Sequence, residues 1–308
     1  MNMLAFLRQI CVLLAIVAIA YLATKKKVLK SEDAPVLTRL ISWVTLPFTM
    51  LSAVNVTLTP AQQKTLPLVI ALFVVFYLST LTFGKLLTRP LGMNRNQGVI
   101  FANGITFTNG IFIGLPLLEG VFGSVVYLYV AVVSFTFSLI FFTYSVSMMQ
   151  PGRRFCWKDL LTPCNVATLV MIPILLTGAT LPPLASKIIS TLGSATTPLS
   201  LVVIGIMLAS SPLKALLGKK PVYLAALFRN LLLPLLMLAV LRFLPLDSDS
   251  RMIIFILYAC PTATLVSVFA KQYELEADLA GQTVLFSTML SAVTLPLMAW
   301  LGQMLLSH

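Results

Sequence analysis

Acidic residues are scarce in this chain: nine Asp and Glu stand against 21 Lys and Arg in 308 residues. Glu32, Asp33, Glu119, Asp159, Asp247, Asp249, Glu274, Glu276 and Asp278 all fall in breaks between apolar runs or at the ends of runs, and the single histidine is the terminal His308. Proton relays and catalysis inside a membrane use Asp, Glu or His at depth, so this distribution speaks against an intramembrane enzyme and against a deep carboxylate relay. The four cysteines, Cys11, Cys156, Cys164 and Cys260, form no C-x-x-C pair of the kind that holds zinc or works as a redox couple. No metal or cofactor is therefore expected. Long polar stretches are missing too, which leaves no room for a soluble domain.

Apolar sequence is abundant instead. Hydrophobic residues make up 59% of the chain, charged residues only 10%, and mean hydropathy is +1.00. A helix of about 20 apolar residues crosses the ~30 Å hydrocarbon layer, and such runs follow one another from end to end. They lie near 4–23, 35–54, 66–88, 97–118, 123–149, 163–182, 187–210, 221–244, 251–270 and 280–306. The expectation is an all-α integral membrane protein with about ten transmembrane helices. Arg8, the run after it and Ala18-Ile19-Ala20 imitate a signal peptide and its cleavage site, but the run extends to Ala23 and is followed by Lys25, Lys26 and Lys27, which favours a retained first span. A net charge of +12 would suit nucleic acid only if the basic residues were interleaved with aromatics on one face; here they form short clusters between apolar runs, and no nucleic-acid partner is expected.

Those clusters set orientation. The breaks after the first, third, fifth, seventh and ninth runs hold Lys25, Lys26, Lys27, Lys30, Arg39, Lys85, Arg89, Arg95, Arg153, Arg154, Lys158, Lys214, Lys219, Lys220 and Lys271, whereas the other side holds Arg8, Lys64, Lys187, Arg242 and Arg251. Positive charge stays in the cytoplasm, so both termini are expected outside it, in the inner (plasma) membrane. A short basic linker, 150–162, with Pro151-Gly152, separates a first group of five spans, 1–149, from a second, 163–308. If the halves are structural repeats, an odd number of spans in each forces them to insert in opposite orientations.

Two runs make poor continuous helices. The fourth contains Thr108-Asn109-Gly110 and, further on, Gly114-Leu115-Pro116; the ninth contains Cys260-Pro261-Thr262-Ala263-Thr264. Proline cannot donate its backbone bond and crowds the carbonyl four residues earlier, and glycine leaves helical angles cheaply. Breaks are therefore expected within 107–116, with Asn109 at the first break, and at Pro261. Half-helix N-termini at such breaks offer free N–H groups and partial positive charge to an anion near the midplane. Ordinary proline kinks explain either break taken singly; two breaks in matching places favour a binding site. Asn109, Gly110, Thr108, Pro116, Pro261, Thr262 and Thr264 are the candidate substrate-binding residues, with Asn109 foremost. Arg229, about 12 Å past Pro221 along its helix, either pairs with a substrate carboxylate or bridges released backbone carbonyls, and the sequence does not choose. Asn103, Asn165 and Asn230 are read as bonds between helices.

The run Asn109 to Gly123, NGIFIGLPLLEGVFG, resembles the N-x-x-x-x-G-[IL]-P-L-L segment of the auxin efflux carrier family, which includes plant auxin exporters and bacterial malonate and malate permease-like proteins. Pro261 to Pro296, with PTATLVSVFAKQYELEADLAG and LFSTMLSAVTLP, resembles that family's ninth-span proline, its A-K-x-Y loop and its final span. YLATKKKVLKSED, WVTLPFTMLSA and PLSLVVIGIMLAS are weaker echoes, so the likeness runs along nearly the whole chain. It implies two inverted five-helix repeats, broken and crossing fourth and ninth helices, and alternating access for organic anions. By position Asn109 matches the fourth-span Asn associated with carboxylate binding, and Pro116 and Pro261 match crossover prolines. The short linker favours the bacterial permease-like branch. Val266 stands where plant exporters often carry a second ninth-span proline, a departure that bears on the symmetry of the crossing, and Glu119 stands where they are often basic, so auxin specificity does not carry over.

The leading expectation is a secondary transporter of small mono- or dicarboxylates such as malonate, malate or auxin-like acids. The alternative is a membrane-embedded ligand sensor or scaffold without net transport. The partners expected are a small organic anion and the lipid bilayer; since some relatives are dimers, a homodimer stays open.

Overall fold

A computed structural model describes residues 3–55, 60–152, 155–179, 181–210 and 219–306. Arg153, Arg154, Lys214 and His308, which entered the charge reading above, lie outside the described residues, and nothing is said of the Lys64 side chain. The chain is helical nearly throughout, with no strand among the described residues beyond one isolated bridge. In order, the helices are α1 (Met3–Lys25), α2 (Asp33–Ser52), α3 (Pro60–Leu87), α4 (Arg95–Thr106), α5 (Leu115–Phe122), α6 (Val126–Ile140), α7 (Pro163–Thr177), α8 (Pro183–Ser210), α9 (Lys220–Leu241), α10 (Ser248–Ala259), α11 (Thr264–Gln272) and α12 (Ala277–Leu306). Seven helical stretches among the described residues are long and apolar enough to cross a membrane, and one of these, Gly110–Met149, is 40 residues long. Gly123 divides it between α5 and α6, with φ +68° and ψ −153°, a conformation open only to glycine.

Packing divides the chain into two compact units, residues 1–68, 111–135 and 160–211 in the first and 69–110, 136–159 and 212–308 in the second. Each unit draws on both sequence halves, a division distinct from the repeat boundary at 150–162.

In the first unit α1 packs along the second part of α8, and the last two turns of α2 pack against α7 and the start of α8. Hydroxyls tie the latter contact: Thr49 donates to the Gly193 carbonyl at 2.9 Å and lies 2.7 Å from the Thr196 hydroxyl, which reaches Thr45 at 2.8 Å. Glu119 on α5 accepts hydrogen bonds from Tyr127 and from Thr197, the latter at 2.5 Å.

The second unit is built around α10. Every residue from Met252 to Ala259 is buried, as expected of a helix apolar on all sides. Asp247 caps its start by accepting from the Ser250 N–H at 2.9 Å, and α12 packs against it as well as against α9 and α11. α4 begins in a capping box, where Asn94 accepts from the Gln97 N–H at 2.9 Å and Gln97 accepts from the Asn94 N–H at 3.3 Å. Gly84 lets α3 approach it closely, since a Cβ there would stand 2.8 Å from the Ala102 Cα.

Helix starts are also tied together at one end of this unit. Glu276 accepts from Asn94 at 3.1 Å and from Lys219 at 3.1 Å. Burial pushes the Glu276 carboxyl upward, but the hydrogen bonds from Asn94 and Lys219, the Lys219 charge and a bond from Gln97 outweigh it, leaving it below the usual carboxylate range. Its contribution to stability is complete above the ordinary carboxylate value and lost as pH falls through the lowered one. Between pH 6 and pH 3 the unfolding temperature of the wild type is therefore expected to fall further than that of Glu276→Gln, and parallel curves would refute the link.

One regularity concerns proline. π turns at Ile41–Thr45, Gly110–Gly114 and Phe228–Leu232 are each followed, two residues on, by Pro47, Pro116 and Pro234. The wider turn skips one carbonyl, so a residue lacking an N–H is accommodated without ending the helix. At the first of them the Leu46 N–H bonds to Ile41 and bypasses the Ser42 carbonyl, which accepts the Cys164 thiol at 3.6 Å.

This narrows the break expected in the fourth run to its first residues. Pro116 lies in the first turn of α5 and does not interrupt a helix. The interruption comes earlier, at Phe107, Thr108 and Asn109, where Phe107 is extended (φ −88°, ψ 129°). In the ninth run the break falls where expected: Cys260, forced out of helical angles by the proline after it, is extended (φ −58°, ψ 151°) and ends α10.

Candidate functional site

The two interruptions meet inside the second unit. Phe107–Asn109 and Cys260–Ala263 run antiparallel, with the Asn109 N–H donating to the Pro261 carbonyl at 2.7 Å and the Ala263 N–H donating to the Phe107 carbonyl at 2.9 Å. Thr108 and Thr262 stand opposite each other between these bonds, as the non-hydrogen-bonded pair of an antiparallel ladder. Each interruption thus satisfies backbone groups released by the other, which in lipid would cost several kcal/mol apiece.

Thr262 is committed to holding this crossing. Its hydroxyl donates to the Gly104 carbonyl at 2.8 Å, and its N–H donates to the Ser287 hydroxyl at 3.0 Å. Ser287 in turn donates to the Asn230 carboxamide oxygen at 2.6 Å, and the Asn230 amide returns a bond to the Ser287 carbonyl at 2.9 Å. Thr262→Val, which keeps the shape and deletes the hydroxyl, is expected to cost about 1 kcal/mol, read as a lower unfolding temperature; an unchanged value would remove Thr262 from the framework.

Arg229 and Asn230 lie in the Phe228–Leu232 π turn of α9, and both are fully buried. The Arg229 guanidinium donates to the carbonyls of Ile105 at 2.9 Å and Thr106 at 3.1 Å, at the end of α4, and to the Tyr258 carbonyl at the end of α10. It also lies 4.4 Å from the centre of the Tyr258 ring. One cation therefore closes the negative ends of both first half-helices, each of which leaves carbonyls without intrahelical donors. Its Nε has no partner among the described residues.

The positive end is treated differently. α11 starts at Thr264, and its N-cap, Ala263, has no side chain that could satisfy the first-turn N–H groups. Asn109 is only 4% exposed, yet its carboxamide makes no hydrogen bond among the described residues. The Tyr77 hydroxyl is also buried; it faces Thr108 without completing a hydrogen bond of ordinary geometry. Aromatic rings wall this region: Phe107 contacts Tyr77 at 5.5 Å, Phe137 at 4.8 Å and Phe141 at 5.0 Å between ring centres.

Of the residues named from sequence, Thr108, Asn109, Gly110, Arg229, Pro261, Thr262 and Thr264 come together in the second unit, whereas Pro116 belongs to the first, where its carbonyl accepts from Gln9 at 3.2 Å. Ser287 and Tyr77 are not singled out by their sequence. Ser287 is one of several hydroxyls along α12, and the signal that could have found Tyr77 is weak: a phenol in the middle of the run Val74 to Leu81.

Long apolar helices and two interrupted helices joined at a buried crossing define a multi-pass membrane protein of the transporter class. The membrane transport protein family matches residues 5–154 and 152–299, and the chain belongs to that family, the auxin efflux carrier family of the motifs above. No curated protein matches the chain closely enough to count as a relative.

Proposed function

We propose that this membrane transport protein is a secondary carrier that moves small organic anions, mono- or dicarboxylates such as malonate, malate or auxin-like acids, by alternating access. The observation that carries the reading is the division of charge at the crossing: Arg229 occupies the carbonyl ends of α4 and α10, while among the described residues the N-terminal end of α11 has no side-chain cap and the Asn109 carboxamide has no hydrogen-bond partner. A carboxylate complements the latter two groups, accepting from the Asn109 amide and from first-turn N–H groups. The Thr108 and Thr264 side chains and the Tyr77 hydroxyl border that position, and Gly110 opens the next turn. In this reading Pro261 and Thr262 fix the crossing, Arg229 positions it, and Pro116 acts only on the path of its own helix.

The same reading includes ten spans, arranged as two inverted repeats over 1–149 and 163–308, both termini outside the cytoplasm and the plasma membrane as location. It takes the bacterial permease-like branch and no catalytic activity. The test is uptake of labelled malonate, malate and indole-3-acetate into liposomes holding the purified protein, with and without sodium and potential gradients. Saturable uptake of one acid supports the carrier. Saturable binding without flux replaces it with a sensor or scaffold, and flux that does not saturate replaces it with a pore.

A further inference from the structure

At the end of the second unit that carries the basic breaks, a cavity of about 430 Å³ opens between α3, α4 and the helical stretch that continues α6 to Met149. Two cations line it, Lys85 at the end of α3 and Arg95 at the start of α4, and its lining contains no Asp or Glu. Neither cation is neutralised: Lys85 has no ion pair among the described residues, and Arg95 spends a guanidinium N–H only on the Met148 carbonyl, at 3.2 Å. That bond holds Arg95 at the cavity wall, so little further ordering is needed to bind an anion there. The Tyr144 phenol, a third donor on the lining, has no partner among the described residues.

Val99, Met148 and Pro151 add apolar surface to the wall, beside Gly98 and the hydroxyls of Thr88 and Ser147, which already donate to the carbonyls of Lys85 at 2.8 Å and Tyr144 at 2.6 Å. Free donors together with apolar surface in one cavity match an ester of a charged acid better than a free inorganic anion. The surroundings place the cavity at a membrane surface. Leu86, next to Lys85, is exposed, and past Pro151 come Phe155 and Trp157, also exposed, their rings 5.1 Å apart, the kind of pair that sits at headgroup level. Basic pockets between membrane helices at this depth take phosphate headgroups.

We infer that this cavity binds a phosphate ester, with Lys85 and Arg95 on the phosphate and Val99, Met148 and Pro151 against the carbon skeleton. The site is separate from the helix crossing and does not depend on which acid is carried. The phosphate ester has two sources, an anionic phospholipid headgroup or a soluble phosphate ester, and the experiment separates them.

Binding of phosphatidylglycerol, phosphatidylcholine and oleate to the purified full-length protein is measured by native mass spectrometry, for wild type, Lys85→Gln, Lys85→Arg and Lys158→Gln. Phosphatidylglycerol is expected to bind the wild type, to weaken about fivefold in Lys85→Gln, to recover in Lys85→Arg, and to be unaffected by Lys158→Gln, which lies off the cavity lining. Competition by millimolar glycerol 3-phosphate would identify the soluble ester as sufficient; failure to compete would identify the lipid. Equal binding to wild type and Lys85→Gln, or binding of oleate or phosphatidylcholine as tight as that of phosphatidylglycerol, overturns the inference.

Discussion

Arg229→Met is expected to lower the unfolding temperature of the detergent-solubilised protein by about 10 °C, the largest loss from any single substitution considered. Methionine keeps an unbranched apolar stem but is shorter and removes every donor, leaving the carbonyls of Ile105, Thr106 and Tyr258 without the guanidinium. Hydrogen bonds to a charged group contribute about 1.5–3 kcal/mol each, and an abandoned buried acceptor costs about 1–3 kcal/mol. Arg229→Lys restores a charge but not the planar fork that reaches two helix ends at once, so it should recover only part of the loss. The substitution also separates two roles. A residue that only positions the crossing leaves the half-saturating substrate concentration of Arg229→Lys near the wild-type value while the folded fraction falls. A residue that pairs with substrate raises that concentration at unchanged stability.

The converse pattern is expected at Asn109. Its side chain makes no hydrogen bond among the described residues, so Asn109→Ala removes nothing the fold depends on, and the unfolding temperature should shift by no more than about 2 °C. Uptake should fall about 10- to 100-fold, the equivalent of one hydrogen bond to a charged acceptor. Asn109→Asp is nearly isosteric and is expected to be at least as inactive, because it sets a carboxylate against a carboxylate. Uptake of Asn109→Ala at the wild-type rate would remove the crossing from consideration as the substrate site.

These two residues also mark where sequence was and was not sufficient. The all-helical membrane class follows from solvent chemistry, because runs of apolar residues with so few charges between them have no other stable arrangement. The break at Pro261 was legible because a proline preceded by an extended residue leaves a helix few options. Asn109 was legible as standing at the break in the fourth run, whereas Pro116 marks no interruption: the π turn before it removes the clash and the missing bond that would otherwise end the helix, and glycines at its two ends ease that winding. Phe107 and Thr108, which are extended, carry no breaker signal of their own. Their conformation is fixed by pairing with Pro261 and Ala263, more than 150 residues away in sequence. Released carbonyls were one of two partners the sequence offered for Arg229, but which carbonyls was illegible for the same reason. They are backbone carbonyls, present at every residue, and only the fold decides which three come within reach.

The turn that carries Arg229 has a consequence for the chain around it. A regular helix advances about 100° per residue, so adjacent side chains cannot both point at the same neighbour. Side by side in the chain, Arg229 turns to α4 and α10 and Asn230 to α12, and the inserted residue shifts the phase between the parts of α9 on either side of them, where Leu227 before and Leu235 and Leu236 after are exposed. Deleting Leu231 would remove the insertion without touching a single polar group. The segment from Leu232 onward would then turn by about 100°, Pro234 would meet an ordinary helical carbonyl, and the exposed leucines would rotate out of their place. In such a helix the number of residues matters as much as their identity: length is the variable that decides which residues become neighbours.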